Sequence, residues 1–334
     1  MVPVLLAGLA AMLVSILAGP RFIAFLRRRE YGQTIREEGP AHHFAKQGTP
    51  TMGGLLMLGV AAAAYLAFAR YTVPALTVLF VTLACGAIGF IDDFIKVTHR
   101  RSLGLNGRWK LLLLGAITVG VGIAARHQHI PTNVYVPGIG HLELSYAFHG
   151  LLFLVIAGAA NGVNLTDGVD GLAAGTGIIA LFTYAAMYVI AWIRSGPPGN
   201  RFETKLDLAI VGAALIGAAI GFLWYNASPA EVFMGDTGSM AIGGALAAFA
   251  IMTKTIFLLL LIGGIFAIAA LSVILQVFSF RYWGRRIFLM APIQHHFEVK
   301  GWSETRIMVR FWIVTGLFCA AAFALYYRYF AGFR

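Results

Sequence analysis

Acidic residues are scarce in this chain. Fourteen Asp and Glu stand against 25 Lys and Arg, and charged residues make up only 12% of the 334 positions, about half the share usual in soluble domains. So little charge excludes a water-soluble surface over most of the chain. No hydrophilic stretch is long enough to fold as a separate soluble domain. Cysteine is almost absent. Cys85 and Cys319 both lie in apolar runs, which excludes a disulfide framework and a cysteine metal site. No basic residue precedes the first apolar run, 2–20; Arg21, Arg27, Arg28 and Arg29 follow it. A secretory signal has the opposite order, so this run is expected to be a span that enters with its N-terminus outside. No repeat of fixed period and no low-complexity tract is present. Paired broken helices, the mark of many inverted-repeat transporters, are missing too.

Hydrophobic residues are plentiful, at 59%. They predict an all-α polytopic membrane protein, because backbone groups in lipid must be satisfied within helices. The apolar runs fall at 2–20, 51–69, 74–95, 109–125, 149–164, 172–193, 206–223, 237–253, 256–280 and 308–328. Each approaches the ~20 residues needed to cross a bilayer, the fifth being shortest. The chain is therefore expected to be one integral membrane domain, 1–334, of about ten transmembrane helices. Gly263-Gly264 marks a break or bend within 256–280. The segment 134–144 alternates around Pro137-Gly138 and predicts a small hairpin on the outer face. Most Lys and Arg residues, including Lys96, Arg100, Arg101, Arg281, Arg285 and Arg286, fall in one set of loops, which the positive-inside rule places in the cytoplasm. In so apolar a chain the net charge of +11 reads as topology and attraction to anionic lipid or substrate, not as nucleic-acid binding.

The unusual polar residues converge on that same inner side. Asp92 and Asp93 end the third span, and Lys96 follows at helical offsets that place it on their side. Carboxylates at the hydrocarbon edge need compensation. Lys96 alone would make a self-neutralised helix end; Mg²⁺ with substrate phosphates is the alternative, since Mg²⁺ takes one or two carboxylates plus phosphate oxygens. After the fifth span, Asn161, Asn164, Asp167 and Asp170 recur every three residues among glycines. That spacing lines amides and acids along one face, and a helix starting near Gly171 would point backbone amides at an anion. Phe233-Met-Gly-Asp236-Thr-Gly-Ser supplies another acid at the same level, where Asp236 would equally serve as a helix N-cap. Lys46-Gln-Gly-Thr-Pro-Thr51-Met-Gly-Gly opens the second span, either as a plain helix start or as a cation with close-approach glycines. His295 and His296 sit in the loop before the last span. Side by side they lack tetrahedral zinc spacing.

These motifs carry a resemblance. Asp92-Asp-x-x-Lys96, Asn164-Leu-Thr-Asp-Gly-x-Asp170-Gly, Phe233-Met-Gly-Asp-Thr-Gly and Ala291-Pro-Ile-x-His-His-Phe-Glu298 occur in order. Together the chain resembles the polyprenyl-phosphate N-acetylhexosamine-1-phosphate transferases. The last motif and Gly48-Thr-Pro-Thr-Met-Gly-Gly resemble those members that use a MurNAc-pentapeptide nucleotide. The resemblance implies ten helices and commonly a homodimer, in the bacterial inner membrane, with a cytoplasmic active site and both termini periplasmic. It implies a Mg²⁺-dependent phosphoglycosyl transfer in peptidoglycan biosynthesis, from UDP-MurNAc-pentapeptide to undecaprenyl phosphate, giving lipid I and UMP. It assigns metal binding to Asp236, Asp92 and Asp93, the last two as an acidic pair of which Asp92 would be the one to take the lipid phosphate's proton, and phosphate contact to Lys96. Phe233 would stack on uracil. Lys46, Asp170 and Asn226 would line the nucleoside pocket, with Thr51, Asn164 and Asp167 beside it. Gln276, His295 and His296 would lie toward the sugar and peptide.

One position departs from that pattern. The family usually shows three consecutive histidines after Ala-Pro-Ile, and here the first is Gln294. Glutamine hydrogen-bonds but cannot become cationic, so no catalytic role carries onto it. Two rivals remain at this point: the same chemistry on UDP-GlcNAc, and a cation-coupled transporter. The transporter predicts acids near the bilayer midplane, whereas these motifs cluster at one side.

Overall fold

A computed structural model describes residues 1–29, 48–99, 103–127, 132–136 and 140–329. Its helices in chain order are α1 (Val2–Arg28), α2 (Gly54–Phe68), α3 (Val73–Thr98) and α4 (Gly107–His127). A hairpin of β1 (Asn133–Val136) and β2 (Gly140–Glu143) leads to α5 (Ala147–Thr166), α6 (Leu172–Ile193), α7 (Glu203–Asn226) and α8 (Gly235–Met252). Then come α9 (Ile256–Ile262), α10 (Gly264–Trp283), α11 (Ile293–Val299) and α12 (Glu304–Tyr329).

The chain is an all-α polytopic membrane protein. Among the described residues, nine helices are long and apolar enough to cross a membrane. The expected second span is the exception: α2 has 15 residues. The expected run began at 51, but the helix starts only at Gly54. Phe233 donates its N–H to the Pro50 carbonyl, and Gly53 and Gly54 donate theirs to Phe233 and Met234. That pairing holds the backbone of 50–53 against residues 233 and 234, and the helix starts after it. The fifth and seventh spans are longer than their apolar runs suggest, at 20 and 24 residues, because each helix continues past its run at both ends. The expected break in 256–280 falls at Gly263, between α9 and α10. The hairpin is antiparallel, with Val134 opposite Leu142.

α7 and α8 form the centre of the bundle. α8 is rich in Gly and Ala, and small residues let helices pack backbone to backbone where lipid gives no hydrophobic drive. A Cβ at Gly243 would lie 2.3 Å from the Ala159 carbonyl oxygen, so α5 and α8 touch there. α3 packs along another side of α8. α1 runs parallel to α7: Gly8 lies against Gly217, and Gly19 against Tyr225. Arg194 near the end of α6 donates to the Tyr327 hydroxyl near the end of α12. Met1 and Tyr329 therefore lie at one end of the bundle, and the Asp92-Asp93 pair lies at the other.

The end away from that pair holds a buried acid that the motif reading did not single out. Asp207, in the first turns of α7, is fully buried. Its Oδ1 accepts the Arg70 N–H at 2.8 Å, while Oδ2 accepts the N–H and hydroxyl of Thr72, both at 2.8 Å, and the Tyr65 hydroxyl at 3.2 Å. Thr72 is the N-cap of α3. Asp207 thus satisfies backbone donors at the entry to α3 that the helix itself leaves open. Replacing Asp207 with Leu should lower the thermal unfolding midpoint in detergent by the equivalent of at least about 2 kcal/mol, because buried donors are stranded. Asp207→Asn, which keeps an acceptor, should lower it less. Equal midpoints for wild type and Asp207→Leu would contradict this role.

Candidate active site

Three carboxylates from two helices meet at the opposite end. Asp92 and Asp93 lie in α3, and Asp236 lies in the first turn of α8. One oxygen from each falls within 4.8 Å of the others. The approach depends on Gly89, one turn before the pair. A Cβ there would lie 2.1 Å from the Asp236 carbonyl oxygen, so any side chain would push α3 off α8.

Asp93 joins the two helices. Its Oδ1 accepts the Asp236 N–H at 3.0 Å. Its Oδ2 accepts the Thr237 N–H at 2.9 Å and the Thr237 hydroxyl at 2.7 Å. The carboxylate caps α8 from a neighbouring helix, where the open N–H groups and the helix dipole favour negative charge. Asp236 itself sits inside the first turn, after the N-cap Met234, so it is not the cap that the sequence allowed. Its side chain is left to face the site.

Two lysines bridge Asp92 to Asp236. Lys96 Nζ lies 2.5 Å from Asp92 Oδ2 and 3.1 Å from Asp236 Oδ1. Lys110 Nζ lies 2.9 Å from Asp92 Oδ1 and 2.8 Å from Asp236 Oδ2. The helical offset from Asp92 predicted the Lys96 contact. Sequence reasoning missed Lys110. Its signal was a lysine one turn into the fourth apolar helix, at the inner end, but nothing in linear spacing tied it to the acids. The chain places it by folding the α3–α4 connection over Asp92: Leu105 donates its N–H to Asp92 Oδ1 at 2.7 Å. Asp92 is 1% exposed, while Lys96, Lys110 and Asp236 retain an opening to the surface. Three carboxylates and two ammonium groups leave one negative charge, all on hard oxygen donors. Mg²⁺ favours that donor chemistry, so the residues fit such an ion.

The connections around this cluster hold most of the other expected site residues. Asn164, in the last turn of α5, donates to the Ser239 hydroxyl at 3.1 Å. Asp167 is the C-cap of α5. Desolvation raises its carboxyl well above the usual range, and the Asp236, Asp93 and Asp170 carboxylates push the same way. Asp170 accepts the Ala230 N–H at 3.1 Å. Asn226 is 2% exposed and clasps two connections: it accepts the Gly171 N–H at 3.2 Å and donates to the Val232 carbonyl at 2.9 Å. Thr51 is buried with its hydroxyl near Gly235, and Phe233 is part-exposed in the same connection. Gly171 carries φ +71° and immediately precedes α6, so a helix does start where expected. Lys46 lies outside the described residues.

The histidines lie in a short helix, not a plain loop. In α11, His295 pairs through Nδ1 with the buried Glu298, and its ring rests on Gly168. His296 accepts the Leu289 N–H at 3.1 Å, and desolvation, with the Lys300 charge second, lowers its basicity. Gln276 lies in α10 and is engaged by the chain itself. Its oxygen accepts the Ile287 and Phe288 N–H groups, and its amide donates to the Phe288 carbonyl.

An acidic cluster at the end of a bundle, flanked by lysines and glycine-bearing turns, suits work on phosphate groups. The pattern of the glycosyl transferase family 4 matches residues 75–254. Signature 1 of the phospho-N-acetylmuramoyl-pentapeptide-transferases matches residues 46–58. A phospho-N-acetylmuramoyl-pentapeptide-transferase of Rubrobacter xylanophilus is 48% identical over 335 residues, covering 98% of each chain. The chain belongs to this transferase family. Relatives of the same description occur in Thermobifida fusca, at 45% identity over 98% of each chain, and in Halalkalibacterium halodurans, at 45% over 96% of this chain and 97% of the other.

A substitution at Gly89 isolates the contact that assembles the cluster. Gly89→Val should cost about 1–3 kcal/mol of stability by overpacking. Gly59→Val is the control, since no atom lies within 4 Å of a Cβ at that position. Thermal unfolding in detergent compares them, and a Gly89 variant as stable as the control would show that α3 and α8 need not touch.

Proposed function

We propose that this chain transfers phospho-MurNAc-pentapeptide from UDP-MurNAc-pentapeptide to undecaprenyl phosphate, releasing UMP and forming lipid I. The observation that carries the reading is the Asp92–Lys96–Asp236–Lys110 constellation, in a chain almost half identical to a transferase so described. An oxygen of the lipid phosphate attacks the β-phosphorus of the nucleotide sugar. The bond from that phosphorus to the UMP oxygen breaks, and UMP leaves with the electron pair. Charge accumulates on phosphoryl oxygens, so positioning and neutralisation dominate such transfers. Lys96 and Lys110 point ammonium groups at the place where those oxygens would gather. Asp236 and Asp92 would hold Mg²⁺, with Asp93 fixing Asp236 through the α8 amides. Bound there, Mg²⁺ would neutralise phosphate charge and orient the leaving group.

A general base has little to do. A phosphate monoester, with a second pKa of about 6, is already largely ionised at neutral pH. Asp92 is almost fully buried, and its oxygens are engaged by Leu105 and both lysines. It acts as an organiser of charge, not as a proton acceptor.

The proposal extends to topology. Arg27, Arg28 and Lys96 lie toward the end that carries the cluster, and the positive-inside rule favours the cytoplasm for that end. The hairpin and both termini then face the periplasm across the bacterial inner membrane. The homodimer implied by the family resemblance belongs to the same proposal.

The decisive assay offers undecaprenyl phosphate with Mg²⁺ and each nucleotide sugar in turn, and measures UMP and lipid product. UDP-MurNAc-pentapeptide should be consumed and UDP-GlcNAc should not; the reverse would move the chain to another substrate. Chelation should abolish turnover, and Asp236→Asn should lower kcat by about 10²- to 10³-fold. Full activity of Asp236→Asn with Mg²⁺ would overturn its assignment. Lys110→Met should lower kcat to a similar degree, and Lys110→Arg should keep more activity than Lys110→Met, since it retains the charge. Wild-type kcat in Lys110→Met would remove this lysine from the site.

A further inference from the structure

Gln294 stands where the family pattern has a histidine, and the structure gives it a different kind of work. It is 0% exposed. Its Nε2 donates to the Leu165 carbonyl at 2.7 Å. Leu165 belongs to the last turn of α5, where helix carbonyls lack partners within the helix. The Gln294 amide therefore supplies, from another element, a bond that α5 cannot make for itself.

The same contact fixes two functional segments against each other. α11 is only seven residues long, too short to hold a position by its own helical bonds. It is tied at three places. The Ile293 N–H donates to the buried Ser272 hydroxyl of α10 at 3.0 Å. Ile293 and Phe297 pack against a cluster that includes Ile307 and Phe311 of α12, with the Phe297 and Phe311 rings edge to face. Gln294 supplies the third tie, the one to α5 just before its C-cap Asp167. Beside it, a Cβ on Gly168 would fall 2.6 Å from His295 Nε2 and 3.4 Å from Gln294 Nε2. Thus His295 and Gln294 lie side by side against the turn that carries Asn164, Asp167 and Asp170. The Gln294 oxygen is buried and has no hydrogen-bond partner among the described residues, so the donor is the half of the amide that serves this position.

We infer that Gln294 is a positioning residue: its amide latches α11 to the end of α5 and so sets His295 against the Asn164–Asp170 turn. This rests on the proposed transfer reaction only for its kinetic readout. The requirement at residue 294 is a hydrogen-bond donor of the right reach, not a charge. Glutamine and neutral histidine both meet that requirement; methionine, of similar length, does not.

The experiment compares Gln294→Met with Gln294→His in the full-length enzyme. Hydrogen exchange over residues 293–299, measured without substrate, should rise in Gln294→Met and stay near wild type in Gln294→His. With undecaprenyl phosphate, Mg²⁺ and UDP-MurNAc-pentapeptide, Gln294→Met should raise KM for the nucleotide by about five- to tenfold, the equivalent of one hydrogen bond. KM for undecaprenyl phosphate should not change, and Gln294→His should restore the nucleotide KM. Unchanged exchange in Gln294→Met overturns the latch. Increased exchange with unchanged kinetics overturns the link to the site. A uniform loss of activity with a large drop in unfolding temperature, unrescued by histidine, reduces Gln294 to a packing residue. A wild-type enzyme inactive on this nucleotide refutes the proposed function instead, and the exchange measurement still decides the latch.

Discussion

The structure turns on the Asp93 carboxylate lying across the first amides of α8. Burying a charge is costly unless hydrogen bonds or opposite charges replace lost water. Asp93 meets that demand with three donors from Asp236 and Thr237, and the bonds run between helices that touch at Gly89. The consequence is positional. Because Asp93 takes the helix-capping work, the side chain of Asp236 is free to meet Lys96 and Lys110. Adjacent acids in sequence therefore hold different posts. Asp93 fixes the scaffold, and Asp92 holds the lysines. A residue of one length could not do both, since the two carboxylates leave the α3 surface about 100° apart, at 3.6 residues per turn.

Much of this was legible in the sequence, for identifiable reasons. Helical offset tied Lys96 to Asp92, and local spacing survives folding because the helix is a fixed template. Apolar runs located every long helix, since lipid imposes length and composition together. Gly263-Gly264 marked a break because glycine is a poor helix former. What was illegible depended on contacts between distant elements. Lys110 joins the acids only because Leu105 and its neighbours fold onto Asp92. The segment 50–54 looked like the start of a span, but its backbone pairs with residues 233 and 234, nearly two hundred positions away. The amides of Gln276 and Asn226 clasp connections, whatever else they contact. Such clasps carry no periodicity, so no local pattern separates them from contacts to a substrate.

The clasps explain how irregular segments hold a defined shape at a membrane edge. Several connections near the cluster are fixed by a side-chain amide or carboxylate from another element. Asn226 joins the α5–α6 turn to the α7–α8 connection, and Asp170 adds a second tie between the same pair. Gln276 secures the stretch after α10, and Gln294 secures α11. Amides suit this task because one group both donates and accepts, and it adds no charge near a crowded set of carboxylates. Asp167 shows the cost of adding one: it sits among acids that disfavour its ionised form.

The two ends of the bundle offer a test of what makes a buried acid functional. Asp207 and Asp92 are almost equally buried, and each lies near a helix end. Asp207 is met by four donors from Tyr65, Arg70 and Thr72, and none of those contacts is with a cationic side chain. It is a closed arrangement, complete within the protein. Asp92 is met by two lysines that are shared with Asp236, and that set keeps an opening to the surface. A closed arrangement stabilises a fold and has no use for a ligand. An open one, with cations beside carboxylates at the surface, leaves room for a ligand. Burial alone does not distinguish them; cationic partners and an opening to the surface do.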